Sequence, residues 1–171
     1  MNAAAGLAAA IAAGGHTLVY GGGHVGLMGV IADAALVGGG EVVGVMTEQL
    51  VAAEVAHGGL TSLEITTSMH ERKARMAELS DGVIVLPGGF GTLDETFEII
   101  TWNQLGLVAM PVVFLDVGDY FAPLFDFIAS SVDAGFVSAS NAALAQRASS
   151  VDRAMDLVLA APVPYQPKWI G

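Results

Sequence analysis

Between Pro87 and Glu95 the chain reads PGGFGTLDE, and the residue types in that span suit chemistry on an anion. Gly88, Gly89 and Gly91 leave the backbone bare, so a phosphate can come close to a nest of N–H groups. Thr92 follows, with a hydroxyl that either caps a helix or reaches a phosphate oxygen. The pattern predicts a helix from about Thr92 to Leu105, which puts Glu95 in the first turn, beside whatever the nest holds. The purely structural alternative is a capping box of Thr92 with Glu95, the carboxylate favoured by the helix dipole. Capping alone does not call for the glycines. Asp94 projects about 100° away from Glu95 on a helix, which argues against a paired-carboxylate mechanism.

A second reactive cluster lies in MHERKARM, where Arg72, Lys73 and Arg75 stand within four positions. They are half of the 6 basic residues, set against 17 acidic ones and a net charge of −11. That balance repels polyanions and excludes broad nucleic-acid binding, but the local positive spot suits a small anion. A solvated helix face paired to Glu71 and Glu78 is the structural alternative. A third stretch, GGGHVGLMGV, carries Gly21, Gly23 and Gly26 in G-x-G-x-x-G spacing after the strand TLVY. The acid that should meet a ribose about 20 residues on falls at Glu48, past its strand, so no nicotinamide cofactor is assigned. His16, His24, His57 and His70 read as structural and lack metal-ligand spacing, so no metal is assigned. His24 beside the glycines and His70 on the basic helix are the two nearest a ligand. Phe97 and Trp102 fall at helical spacing and belong to the core or a dimer surface.

These stretches need elements to hold them. Strand-length apolar runs (TLVY, EVVGVM, LTSLEITT, GVIVLP, PVVFLD) alternate with segments of helical period, including HVGLMGVIADAALVG and SMHERKARMAELS. The alternation predicts βαβ units around a parallel sheet buried on both faces. Further helices are expected around Tyr120 to Val132 and Asn141 to Ala160, and the tail APVPYQPKWIG is expected to run extended. A chain of 171 residues fits one domain. Its 54% apolar content is broken by glycines, so no membrane span is expected. The apolar start MNAAAGLAAAIAAGG has no preceding basic residue, which favours an alanine-rich helix and a cytoplasmic setting over a secretory signal. With no cysteine, thiol nucleophiles, disulfides and Cys-held metals are excluded.

PGGFGTLDE taken with MHERKA resembles the Lonely Guy family of cytokinin-activating phosphoribohydrolases, whose motifs are PGGxGTxxE and MHxRKA. The likeness runs from about Ala4 to Ala134, through LVYGGGHVGLMGVIADAAL, EVAHGGLT and ITWNQLGL. It implies an α/β fold, a Rossmann-like three-layer sandwich with a parallel sheet, spanning residues 1–171 as a single nucleotide-binding domain. It also implies a homodimer with no cofactor, acting on a nucleoside monophosphate. By position, Arg72 and Glu95 are the catalytic pair. Met69, Lys73, Gly88, Gly89, Gly91 and Thr92 bind the substrate, with Glu54 and Thr101 as further contacts. A carboxylate near C1′ stabilises the positive charge that builds on the sugar and orients or deprotonates water. Arg72 stays protonated, so it binds phosphate or orients the carboxylate and purine. Members are often mislabelled lysine decarboxylases. Lys73 is one of only two lysines and neighbours Arg72 in an anion site, a poor setting for a pyridoxal Schiff base.

Relatives normally begin with a strand ending in a Gly-Ser-Ser turn, whereas this chain opens inside the helix that follows. In the 3-2-1-4-5 order that strand is central. The expected fold therefore lacks the family's first strand, and truncation is the expected reason, since an open slot between buried strands would leave backbone groups unpaired. A protein that binds or senses a nucleotide without turning it over is the competing functional class.

Overall fold

The computed structural model describes residues 2–53 and 55–164. They form two compact units, Met1–Ser80 and Asp81–Gly171, each a three-stranded parallel sheet with helices. The parallel α/β class expected from the sequence, Rossmann-like in character, is what the strands form.

In the first unit the order is α1 (Asn2–Ala13), β1 (Leu18–Tyr20), α2 (Leu27–Val37), β2 (Val42–Thr47), α3 (Glu48–Ala52), β3 (Ser62–Thr66) and α4 (Met69–Glu78). The sheet runs β1-β2-β3, with Leu18 opposite Val42 and Val43 opposite Ser62. β2 lies in the middle, and Val42, Val45 and Met46 are buried, as a β-branched run covered on both faces should be. Alanines let α1 and α2 pack closely: Ala4, Leu7 and Ala8 of α1 and Ala32 and Ala35 of α2 are buried. Hydroxyl caps start the later helices. Thr47 Oγ1 accepts the Leu50 N–H at 3.3 Å, and Ser68 Oγ accepts that of Glu71 at 3.2 Å.

The second unit contains β4 (Val83–Val85), α5 (Phe90–Gln104), β5 (Val112–Leu115), a 3₁₀ turn (Val117–Asp119), α6 (Ala122–Asp133), α7 (Ala139–Ala142), β6 (Ala145–Ala148) and α8 (Val151–Val158). The sheet order is β4-β5-β6. Every residue of β5 is buried, and the Phe114 ring meets Phe121 and Phe125 edge-on at 5.0 and 5.4 Å. The helix expected from Asn141 to Ala160 is not continuous. Residues 145–148 pair with β5, Phe114 opposite Arg147, and Ser150 caps a new helix by accepting the Arg153 N–H at 3.2 Å. AQRA has little strand propensity of its own, and the free edge of β5 overrides its local preference.

The start of α5 also differs from expectation. The helix begins at Phe90 with Gly89 as its N-cap, and the Leu93 N–H bonds the Gly89 carbonyl at 3.1 Å. Thr92 is therefore inside the first turn, Glu95 lies in the second, and no capping box forms. Residues 161–164 of the tail carry no regular structure, and its remainder lies outside the described residues. Among the described residues, no helix is long and apolar enough to cross a membrane.

Candidate functional site

The turn after β4 is built from Gly88 upward. A Cβ there would overlap the Thr92 hydroxyl, so Gly88 is glycine because Thr92 folds back over it. Its carbonyl accepts a hydrogen bond from the Tyr120 hydroxyl at 2.7 Å. Gly89 and Gly91 differ from it. A Cβ on either meets nothing within 4 Å, and neither has positive φ. Neither packing nor backbone conformation within the unit demands these two glycines. The N–H groups of Phe90, Gly91 and Thr92 precede the first intrahelical bond, and the positive dipole end adds to them. The result is an open, donor-rich surface at the head of a helix of 15 residues.

Around α5, at about 100° per residue, Gly91 and Glu95 fall on one row, and Glu95 is half-buried. Thr96, Ile99 and Asn103 form the buried side. Thr101 lies instead on the outer face with Asp94, Phe90 and Phe97, where it is exposed and its hydroxyl donates to the Phe97 carbonyl at 2.7 Å. The second unit thus gathers Gly88, Gly89, Gly91, Thr92 and Glu95 but turns Thr101 away from them.

In the first unit the three basic residues part company. Arg75 is bound by Glu64 of β3 through two contacts, 2.6 and 3.1 Å, and by Glu78 at 3.1 Å. Those bonds hold the Glu64 carboxyl below its ordinary range and raise Arg75 above its own. Glu71, expected on the same charged face, accepts instead from the Thr67 hydroxyl at 2.6 Å and its N–H at 2.9 Å, which lower its pKa. The single positive spot read from the sequence therefore divides. Lys73 projects about 160° away from Arg75 around α4, on the side of Met69, while Arg72 lies between them. Met69 is exposed and Lys73 half-buried. Arg72 is buried, its Nε donating to the Val45 carbonyl at 2.8 Å and its Nη2 to that of Gly21 at 3.4 Å. Glu54 lies outside the described residues.

The G-x-G-x-x-G turn proves to be tightly accounted for. A Cβ at Gly21 would overlap the Arg72 guanidinium. Gly22 and Gly26 have φ of 77° and 64°, which side chains disfavour. The carbonyls of Gly21, Gly22 and Gly23 accept from Arg72, from the His57 N–H at 2.9 Å and from the Tyr20 hydroxyl at 3.2 Å. Burial, with Asp33 adding to it, pushes the Tyr20 phenol up to about 12. His57 Nδ1 accepts the Gly59 N–H at 3.1 Å, so its Nε2 carries the proton and donates to Asp33 at 3.0 Å. His24 also binds protein, its N–H and ring Nδ1 both 3.0 Å from the Val55 carbonyl. Sequence reasoning missed Tyr20 and Tyr120, because each acts on a backbone carbonyl that no side-chain motif marks, and Asp33, because its partner His57 lies 24 positions away.

A family model described as "possible lysine decarboxylase" matches residues 28–158. A cytokinin riboside 5'-monophosphate phosphoribohydrolase of Rhodococcoides fascians is 50% identical over 136 residues, 79% of this chain and 69% of the relative. A probable enzyme of the same name from Oryza sativa is 42% identical over 96% of this chain and 77% of its own length. Among solved structures, a molybdenum cofactor binding protein of Rippkaea orientalis superposes with a TM-score of 0.66 at 21% identity, covering 92% of this chain and 84% of that one. At that identity the likeness concerns the fold alone. The match through both halves, with PGGFGTLDE and MHERKA intact, means that the chain belongs to the Lonely Guy family, to which the lysine decarboxylase description is also attached.

Proposed function

We propose that the protein hydrolyses the N-glycosidic bond of a cytokinin riboside 5'-monophosphate, or of AMP, to free base and ribose 5-phosphate. The observation that carries this reading is the pair of glycines, Gly89 and Gly91, that nothing within 4 Å requires, on a helix that presents Glu95 one turn further on. Phosphate at the N–H groups of that turn brings the ribose toward Glu95. As the C1′–N bond breaks, positive charge grows on the sugar, and the Glu95 carboxylate stabilises it while orienting water. The water oxygen joins C1′, and the departing base takes up a proton. By the family resemblance, Lys73 of MHERKA is the residue that supplies charge to the phosphate. Arg72, a permanently charged fork, orients the reacting groups from a buried seat rather than serving as an acid. The family names support the same substrate class, since relatives at 50% and 42% identity carry them. The active form is a homodimer: Phe90, 94% exposed, with Phe97 on the outer face of α5 and Leu105 at its C-cap, offers apolar area that a second copy would cover.

The deciding experiment incubates the purified full-length protein with AMP and with its N6-isopentenyl analogue and measures free base and ribose 5-phosphate. Release from at least one is expected. A folded protein that releases neither overturns the enzyme reading, and AMP binding without product would establish the non-catalytic alternative.

A further inference from the structure

The Tyr120 hydroxyl donates to the Gly88 carbonyl at 2.7 Å, joining two segments 32 residues apart at the phosphate turn. That bond fixes more than one oxygen. No peptide bond among the described residues is cis, and in a trans peptide the carbonyl of one residue and the N–H of the next point to opposite sides. Holding the Gly88 carbonyl toward Tyr120 therefore aims the Gly89 N–H away from it. A Gly–Gly peptide flips easily, because its second residue tolerates positive φ, and a flip would present an oxygen where a donor had been. Gly89 has φ −97° and a Cβ there would meet nothing, so local packing does not prevent the flip.

Tyr120 is itself held firmly. Gly118 at φ 64° and Asp119 at φ 57° form two successive left-handed residues, an unfavourable conformation for aspartate. Arg147 of β6 clasps this loop. Its Nε donates to Asp116 Oδ2 at 2.5 Å, its Nη2 bonds Asp116, and Nη2 reaches Asp119 Oδ1 at 2.8 Å. The other Asp116 oxygen accepts the Phe121 N–H at 2.8 Å, closing the loop on either side of Tyr120.

We propose that Tyr120 is a positioning residue that locks the Gly88–Gly89 peptide with its N–H, not its carbonyl, facing the substrate phosphate, with Arg147 holding the loop that presents it. This rests on the proposed phosphate site. The test compares wild type, Tyr120→Phe and Arg147→Lys by calorimetric binding of AMP and of adenosine, with kcat and KM for AMP. Loss of one hydrogen bond corresponds to a roughly five- to tenfold weaker affinity. Tyr120→Phe should show that loss for AMP, as a raised KM with kcat little changed, and leave adenosine within about twofold. Arg147→Lys should move AMP the same way by less. If Tyr120→Phe binds AMP as wild type does, or loses AMP and adenosine equally, the lock is overturned while the site stands. If wild type itself fails to prefer AMP over adenosine, the phosphate site falls and the lock falls with it.

Discussion

The turn after β1 and the turn after β4 share a glycine-rich spelling, yet their glycines have different causes. In the first turn the protein itself takes up the freedom. Arg72 sits where a Gly21 side chain would be, Gly22 and Gly26 adopt positive φ, and a Cβ at Gly29 would strike the His24 carbonyl. In the second, only Gly88 is explained from within, by Thr92, while Gly89 and Gly91 face open space at ordinary backbone angles. A glycine that its own fold does not need points to something outside the fold. The first turn is a seat for Arg72, and the second is the surface on which the proposed phosphate site rests.

The comparison breaks first, and by the largest margin, through Gly29→Ala. The new methyl would meet backbone, the His24 carbonyl, rather than a yielding side chain. Overpacking of this kind costs about 3 kcal/mol, which lowers Tm by roughly 10 °C in a chain of this size. Thermal unfolding should show the loss, with turnover per folded molecule unchanged. A variant as stable as wild type would mean that the first turn is looser than its geometry implies.

Next in size is Glu95→Gln, which keeps the shape of the side chain and removes its charge. If the second turn serves chemistry, kcat falls about 10²-fold while AMP affinity is nearly intact. Equal turnover in the two proteins would reduce this helix to a structural element like α2, whose own acid, Asp33, is engaged by His57 at 3.0 Å.

Both turns were legible in the sequence as glycine punctuation after apolar runs, and so were the strands that feed them, because β-branched residues and helical period are local signals. What separates the turns was not legible. Arg72 reaches Gly21 across 51 positions and Tyr120 reaches Gly88 across 32, and no local pattern records such distances. The basic triplet misled for a related reason: Arg75 finds Glu64, 11 positions away on β3, rather than joining Lys73. β6 escaped because AQRA becomes a strand only by pairing with β5. The capping box of Thr92 with Glu95 failed because the N-cap is Gly89, which has no side-chain cap, and the helix starts at Phe90, two residues early.

Gly91→Ala has the smallest effect and separates the two causes most sharply, since stability and affinity should move in opposite directions. Gly91 is in the first turn of α5, at negative φ, exposed, and a methyl group added to it would meet nothing within 4 Å. Alanine is favoured over glycine in a helix by up to about 1 kcal/mol, largely because it restricts the unfolded chain. If Gly91 is glycine for no ligand's sake, the substitution raises Tm by a few degrees and leaves KM alone. If a phosphate approaches that backbone, the methyl group stands in its path. KM for AMP then rises about tenfold, equivalent to roughly 1.4 kcal/mol, with kcat less affected and adenosine, which lacks the phosphate, nearly indifferent. A higher Tm together with a weakened grip on AMP is the expected pair of results. A higher Tm with an unchanged KM would return the second turn to the same class as the first.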